Sequence, residues 1–418
     1  MLLIQPANEP RKTRARVGLA IAGGGPIGGM YELGALRALD DAIEGLDLTR
    51  LEVYVGVSSG AFLAAGLANR MSTEEMCRIF ITGQDDRLHF RPEAFMRPAI
   101  PELMRRLSGF PALLSGWVGD LLRGTRSARL SDALIRFSAL IPPGLFDNTE
   151  VERFLRDVFT IRGRTNDFRE IQAPLYIVAV DINSGEAVCF GRNEWDSVPI
   201  SRAVQASGAM PGLYPPVEIS GRHFVDGALR RTMHASAALE HGVDLLIGIN
   251  PLVPFDAGAP NSSSTRKTNL VDNGMPVVLS QTFRTLLQSR AQVGIARYAQ
   301  EFPATDQMFL EPNSDDRRTF FTNVFSFSSR FALCQHAYRA TLNDLRKRSN
   351  ELAPLLVRHG LRLRADVVNN PHRTLIEGLH KRPHRTDTTE RLRRALDDVD
   401  VALKRGLVKR PRRAARGA

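Results

Sequence analysis

The sequence predicts an α/β protein, a sheet with helices on its faces, and two observations carry that expectation. A strand, tight turn and helix occur twice within the first 70 residues, and short apolar runs then alternate with helix-like segments to about residue 250. Val17 to Ala22 is an apolar run that ends in glycines and leads to Leu33, Leu36 and Leu39 among alanines, which reads as buried strand, turn and helix. Leu51 to Val57 repeats the pattern before the Ala- and Leu-rich stretch Ala61 to Ala68. Further strands are expected at Leu175 to Asp181, Glu186 to Phe190, Val217 to Val225 and Asp244 to Ile249. Helix-like segments lie around Asn148 to Phe159 and Ile200 to Ser207.

A long insertion, about 85–145, separates the second strand from Leu175. Its most regular part is Phe110, Leu113, Leu114, Trp117, Val118, Leu121 and Leu122, a spacing that places all seven on one helix face. Ser108 is a suitable N-cap and Pro111 sits in the first turn, where its missing N–H costs nothing. Periodicity leaves two readings open, a lid over a site or a helix packed in the core. After Pro254 a polar loop, Asn261 to Thr265, precedes helical regions at about Val277 to Tyr298 and Phe331 to His359. The expected organisation is a basic tail at 1–15, a catalytic α/β domain at 16–250, a mostly helical extension at 251–375 and a flexible basic tail at 376–418.

With 418 residues and 43% hydrophobic content, the chain can bury one large core or two modest ones. The first residues lack the apolar core of a secretory signal, and no run of some 18 apolar residues occurs, so a cytoplasmic, at most peripherally membrane-associated protein is expected. Cys77, Cys189 and Cys334 are widely spaced and odd in number, which fits buried free thiols better than a disulfide framework or a zinc site. The net charge of +11 belongs to the two ends. Residues 381–418 carry 13 basic and 5 acidic groups, residues 1–16 carry 4 and 1, and the rest is neutral. Basic tails on a neutral body suit an anionic membrane surface, attract nucleic acid equally, or simply solvate the ends. The C-terminal tail has neither interleaved aromatics nor a recognisable domain, so a nucleic-acid partner is not expected.

Chemistry concentrates in three places. Gly23-Gly24-Gly25-Pro26-Ile27-Gly28 closes the first strand and opens a helix, so its backbone N–H groups and the helix terminus form an anion site for a phosphate or a developing oxyanion. Pro26 has no donor, which leaves Gly24, Gly25 and the residues around Gly28. The same turn matches Gly-x-Gly-x-x-Gly, but a dinucleotide fold would place an acid at the end of the second strand. That position reads Gly56-Val57-Ser58-Ser59-Gly60, the Gly-x-Ser-x-Gly arrangement in which glycines allow a strained turn to expose the central hydroxyl. Ser58 is therefore the candidate nucleophile, with Ser59 a neighbour whose N–H is available to an oxyanion. None of the nine histidines, His223 and His234 included, sits where it is marked as the base. Asp226, in Phe224-Val225-Asp226-Gly227-Ala228, is a strand-end carboxylate beside a glycine, which suits either a base or an ordinary turn.

As a set these residues resemble the patatin-like phospholipases. Ala22 to Gly28 is similar to their oxyanion loop, Gly56 to Ala61 to their nucleophile elbow and Val225 to Ala228 to their Asp-Gly element. Ala206-Ser207-Gly208-Ala209-Met210-Pro211-Gly212, followed by Tyr214-Pro215-Pro216, is similar to the segment upstream of that aspartate. The likeness spans roughly 16–250. It implies a three-layer α/β/α sheet with a helical insertion and a helical C-terminal extension. It further implies a Ser-Asp dyad in which Asp226 takes the proton of Ser58, and an oxyanion hole at Gly23, Gly24, Gly25 and Gly28. Hydrolysis would proceed through an acyl-enzyme on Ser58, with no cofactor or metal. One departure stands out: the family usually has a basic residue at the position of Ile27, whose loss bears on phospholipid preference more than on hydrolysis. The leading expectation is a hydrolase of phospholipids or other acyl lipids. The rival is a non-catalytic lipid- or protein-binding module that keeps the fold.

Overall fold

Runs such as Val17–Ile21 and Leu245–Ile249 are buried at every position, the signature of parallel strands covered on both faces. The computed structural model describes residues 1–8, 15–83, 142–259, 269–321 and 327–377, with Leu88, Phe90, Glu93, Phe95, 97–100 and Met104 between them. The amphipathic stripe from Phe110 to Leu122 and nearly all of the basic C-terminal tail lie outside the described residues.

One mixed sheet of nine strands forms the centre. In chain order these are β1 (Leu2–Gln5), β2 (Val17–Ile21), β3 (Val53–Val57), β4 (Leu175–Asp181), β5 (Ala187–Phe190), β6 (Val217–Ile219), β7 (Arg222–Asp226), β8 (Leu245–Ile249) and β9 (Asp306–Leu310). The spatial order is β1-β9-β8-β2-β3-β4-β7-β6, with β5 also paired to β4. From β9 to β4 all pairings are parallel, and β1, β5, β6 and β7 add antiparallel partners outside them. The principal helices are α1 (Gly25–Ala42), α2 (Ser59–Ala68), α3 (Thr149–Phe159), α4 (Ile200–Ser207), α5 (Met275–Glu301) and α6 (Phe327–Lys347).

Several boundaries differ from those expected. The N-terminal tail begins with an edge strand: Leu2 to Gln5 pair antiparallel with Leu310 to Gln307, and Leu2 is buried. The partner strand, β9, belongs to the stretch expected to be mostly helical. Its polar residues Asp306 and Gln307 obscure the apolar run, yet both are buried, Asp306 held by Ala7 N–H, Arg358 and His359. Val217 to Val225 is a hairpin rather than one strand, turning at Ser220 and Gly221, both with positive φ (53° and 75°). Phe331 to His359 is two helices, α6 and Ser349–Arg358, which meet at Arg348.

Helix α6 lies directly on α1. A side chain at Gly34 would come within 2.4 Å of the Cys334 carbonyl, so glycine there allows the two backbones to touch. The C-terminal third thus supports the helix that carries the glycine turn. Cys77 and Cys334 are buried and Cys189 half-buried, all three as free thiols.

Candidate active site

Strand register alone brings two of the expected site residues together. On β4, Val178 pairs with Val57 on one side and Cys189 on the other, and Ala179 pairs with Asp226 and Val188 in the same way. Strands β3 and β7 therefore run towards each other along the same edge of β4 and end at adjacent positions. Ser58 follows the last residue of β3, and Asp226 is the last residue of β7.

Ser58 has φ 52° and ψ −120°, a backbone conformation that L-residues rarely hold and that marks a sharp strand-to-helix turn. Helix α2 starts at the next residue. Gly60 makes the close approach behind it feasible, since a Cβ there would lie 2.4 Å from the carbonyl oxygens of both Ile21 and Ala22. Ser58 is buried to 8% exposure and opens onto a cavity of about 230 Å³.

A segment with no assigned role in the sequence braces both residues. The Ser207 hydroxyl accepts a hydrogen bond from Ser58 N–H at 2.8 Å and donates to the Val178 carbonyl at 2.6 Å. Two residues on, the Ala209 carbonyl accepts from Asp226 N–H at 3.0 Å. Spacing alone could not reveal this, because Ser207 and Ser58 are 149 residues apart.

Asp226 is fully buried. Its Oδ1 accepts from Ala228 N–H at 2.9 Å, and its Oδ2 has no hydrogen-bond partner. Burial pushes the carboxyl up to about 6, with the neighbouring Ser58 side chain and Ala228 N–H pulling it downward. His234 is also buried beside the Gly227 backbone, and desolvation pushes it down to about 4, so it is a neutral support of the Asp-Gly turn. His223 is exposed on β7. Among the described residues no histidine lines the cavity.

The glycine turn stands beside Ser58: a Cβ on Gly23 would lie 3.0 Å from that of Ser58. Two of the four expected donors are otherwise engaged. Gly23 N–H points to the Thr232 carbonyl at 3.3 Å, and Gly28 N–H closes the first turn of α1 on the Gly24 carbonyl at 2.9 Å. That narrows the expectation to Gly24, the N-cap, and Gly25, whose φ is +59° and which lines the cavity. First-turn N–H groups have no acceptor within their own helix.

Behind the turn lies a buried carboxyl that belongs to none of the sequence motifs. Glu32 has no solvent exposure, accepts from the Ser59 hydroxyl at 3.1 Å through Oε1, and has no hydrogen-bond partner at Oε2. Desolvation pushes its pKa well above the usual carboxylate range, with the Ser59 hydrogen bond pulling the other way. Ser59 therefore has a side-chain partner in addition to the N–H available to an oxyanion.

The remaining cavity wall is mostly apolar. Phe62, one turn along α2 from Ser58, begins an aromatic cluster in which Phe80 lies 5.1 Å away edge-on and Phe90 a further 5.0 Å. Met210 and Tyr214 close another side. Arg330 of α6 also lines the cavity, donating to the Phe80 carbonyl at 3.0 Å with its guanidinium 5.6 Å from the Phe90 ring. Among the described residues no cluster of three or more His, Cys, Asp or Glu side chains is placed to hold a metal ion.

The family model described as patatin-like phospholipase matches residues 19–239. Among solved structures, the chain is similar to VipD from Legionella pneumophila at 14% identity and TM-score 0.30, covering 84% of this chain and 81% of that one. It is similar to the type III effector ExoU at 17% identity and TM-score 0.28, covering 96% and 71%. A third likeness, 15% identical at TM-score 0.27, is to the complex of SpcU with ExoU from Pseudomonas aeruginosa, covering 90% and 69%. The family match takes in the glycine turn, the Gly-x-Ser-x-Gly elbow and the Asp-Gly turn in one span, and this chain belongs to the patatin-like phospholipase family, which supports lipid hydrolysis in general as its activity.

Proposed function

We propose that the protein is a serine acyl hydrolase that cleaves carboxylic ester bonds of phospholipids or other acyl lipids, with Ser58 as nucleophile and Asp226 as base. The single observation that carries this reading is the buried Asp226 carboxyl, whose partnerless Oδ2 stands at the end of the strand that abuts the Ser58 turn. A carboxylate raised to about 6 is a better base than an ordinary aspartate and is still ionised at neutral pH.

Ser58 Oγ attacks the ester carbonyl carbon while its proton passes to Asp226. Gly24 and Gly25 N–H groups, with Ser59 N–H at the start of α2, are the donors proposed for the oxyanion. Collapse of the tetrahedral intermediate breaks the ester C–O bond, and the leaving alkoxide takes the proton from Asp226. Water then attacks the acyl-enzyme by the same route, and the fatty acid leaves. The phenylalanine-lined cavity gives the acyl chain an apolar site, worth about 25 cal/mol per Å² removed from water.

A non-catalytic binding module explains less. A strained Ser58 and a buried, half-satisfied carboxylate are both destabilising, and a lipid carrier needs neither. A panel of phospholipid and neutral acyl esters, assayed with wild type and Ser58→Ala, tests the proposal: release of fatty acid by wild type alone supports it, and equal release by both sinks it.

Among the described residues no helix is long and apolar enough to cross a membrane. The basic tails are proposed to attract the protein to anionic surfaces. Deleting residues 381–418 should weaken sedimentation with anionic vesicles at low salt and make no difference at high salt.

A further inference from the structure

The buried face of α5 is not a simple apolar stripe. Arg284, Leu287 and Gln288 fall within about 100° of arc on that face, and all three are buried. A buried arginine and a buried glutamine destabilise a fold unless they are hydrogen-bonded, and here each holds a loop beside the glycine turn. Arg284 donates to the Val253 carbonyl at 3.2 Å, and Gln288 Oε1 accepts from the Asn250 side chain at 2.9 Å. Between those two points Pro251 packs on the turn: a Cβ on Gly24 would lie 2.4 Å from its ring.

The loop that follows β7 is held by the same helix. Thr232 is buried, its hydroxyl donates to the Leu287 carbonyl at 3.0 Å, and its own carbonyl accepts from Gly23 N–H at 3.3 Å. Three residues earlier, the Leu229 carbonyl accepts from Arg290 on the flank of α5 at 2.7 Å. Ala228, whose N–H binds the Asp226 carboxyl, stands against Gly23: a Cβ on Gly23 would lie 3.2 Å from that of Ala228 and 3.0 Å from that of Ser58. One short loop thus touches the base, the nucleophile's neighbour and the glycine turn, and α5 fastens it at two points. Gly23 N–H is not itself an oxyanion donor, but its bond to Thr232 fixes the backbone from which the Gly24 and Gly25 N–H groups project.

We infer that Thr232 and Arg290 are positioning residues through which α5 holds the glycine turn in register with Ser58 and Asp226. This rests on the acyl-hydrolase reading above, and it adds to that site a helix lying beyond all three sequence motifs. Oxyanion donors act by being fixed before charge develops, so a loosened turn binds substrate as before and stabilises the transition state less.

The test compares the full chain with Thr232→Val, which keeps the side-chain shape and removes the hydroxyl, and with Thr232→Ser, which restores it. The Leu287 carbonyl remains bonded within its helix in either case. For a short-chain ester, kcat of Thr232→Val should fall roughly tenfold or more while KM changes little. An alkyl trifluoromethyl ketone, whose tetrahedral adduct with a serine carries an oxyanion, should lose affinity by the same factor as kcat/KM. Thr232→Ser should recover most of both. A mere loss of folded protein would lower the apparent kcat and leave the ketone's inhibition constant native, and that result overturns the inference, as does a native kcat in Thr232→Val. Should Thr232→Val fail to fold, Arg290→Ala decides, since that side chain is exposed: kcat and ketone affinity should again fall together, and native values of both overturn the inference. Absence of ester hydrolysis in wild type sinks the catalytic reading itself, whereas an active wild type matched by Thr232→Val sinks only this assignment.

Discussion

Ser207 ties Ser58 to the sheet through one hydroxyl, which receives the Ser58 N–H at 2.8 Å and donates to the Val178 carbonyl at 2.6 Å. The strained Ser58 backbone is thereby held by a residue that is itself fully buried. Replacing Ser207 by alanine leaves a buried N–H and a buried carbonyl unsatisfied, at a cost of about 1–3 kcal/mol each. Ser207→Ala is expected to lower the melting temperature and to reduce kcat for a short-chain ester while KM changes little. Denaturation and steady-state kinetics check both, and a variant with native kcat would remove Ser207 from the positioning of the nucleophile.

Ser58→Ala and Asp226→Asn are each expected to reduce ester hydrolysis by roughly a thousandfold or more, because nucleophile and base act as a unit. The double variant should be scarcely worse than either single one. Full activity in either single variant would refute the proposed pair, and circular dichroism guards against misfolding as the cause of a loss.

The raised Asp226 pKa predicts two opposite pH effects. Activity requires the carboxylate, so kcat/KM should fall about tenfold per pH unit on the acid side of a limb near 6. Stability runs the other way. The folded pKa lies above the unfolded value of 3.8, so the cost of the buried charge is absent below that value, grows as pH rises, and is complete above about 6. Asp226→Asn should therefore be inactive yet more stable than wild type at pH 8, with the advantage gone by pH 4. Melting curves at the two pH values measure it.

Glu32 gives a related expectation through a different bond. Burial favours the neutral form of its carboxyl, which accepts from the Ser59 hydroxyl, and glutamine reproduces that uncharged shape. Glu32→Gln should retain most activity and gain stability over wild type as pH rises, since the folded pKa lies well above 4.5 and above that value the unfolded chain releases a proton that the buried carboxyl retains. Glu32→Leu loses the Ser59 contact and should lower kcat. Parallel melting curves at pH 5 and pH 9 distinguish these outcomes.

The local motifs were legible because their chemistry is written in a few consecutive residues. A glycine turn after Val17–Ile21, Gly-x-Ser-x-Gly after Val53–Val57 and Asp-Gly at the end of Arg222–Asp226 each state a strand end and a tight turn. Fully apolar runs likewise announce strands covered on both sides. Within those motifs a glycine does not announce where its N–H points: Gly23 N–H faces the Thr232 carbonyl and Gly28 N–H the Gly24 carbonyl, partners set by the packing around the turn.

The sequence by itself determined the α/β class, the strand–turn–helix order and the residues from which a site can be built, because alternation, glycine and proline act over a few residues. Only the tertiary structure decided the rest. The pairing of Leu2–Gln5 with Asp306–Leu310 joins segments some 300 residues apart, and nothing local in three apolar residues and a glutamine specifies so distant a partner. The adjacent endings of β3 and β7 on β4, the bond from Ser207 to Ser58, and the raised pKa values of Glu32 and Asp226 all depend on which groups lose water and which backbone atoms lie opposite. Helix α5 shows the same division: its apolar residues could be read from the chain, but which of its faces remains uncovered is set by the packing of Leu287 against the strands that carry the site.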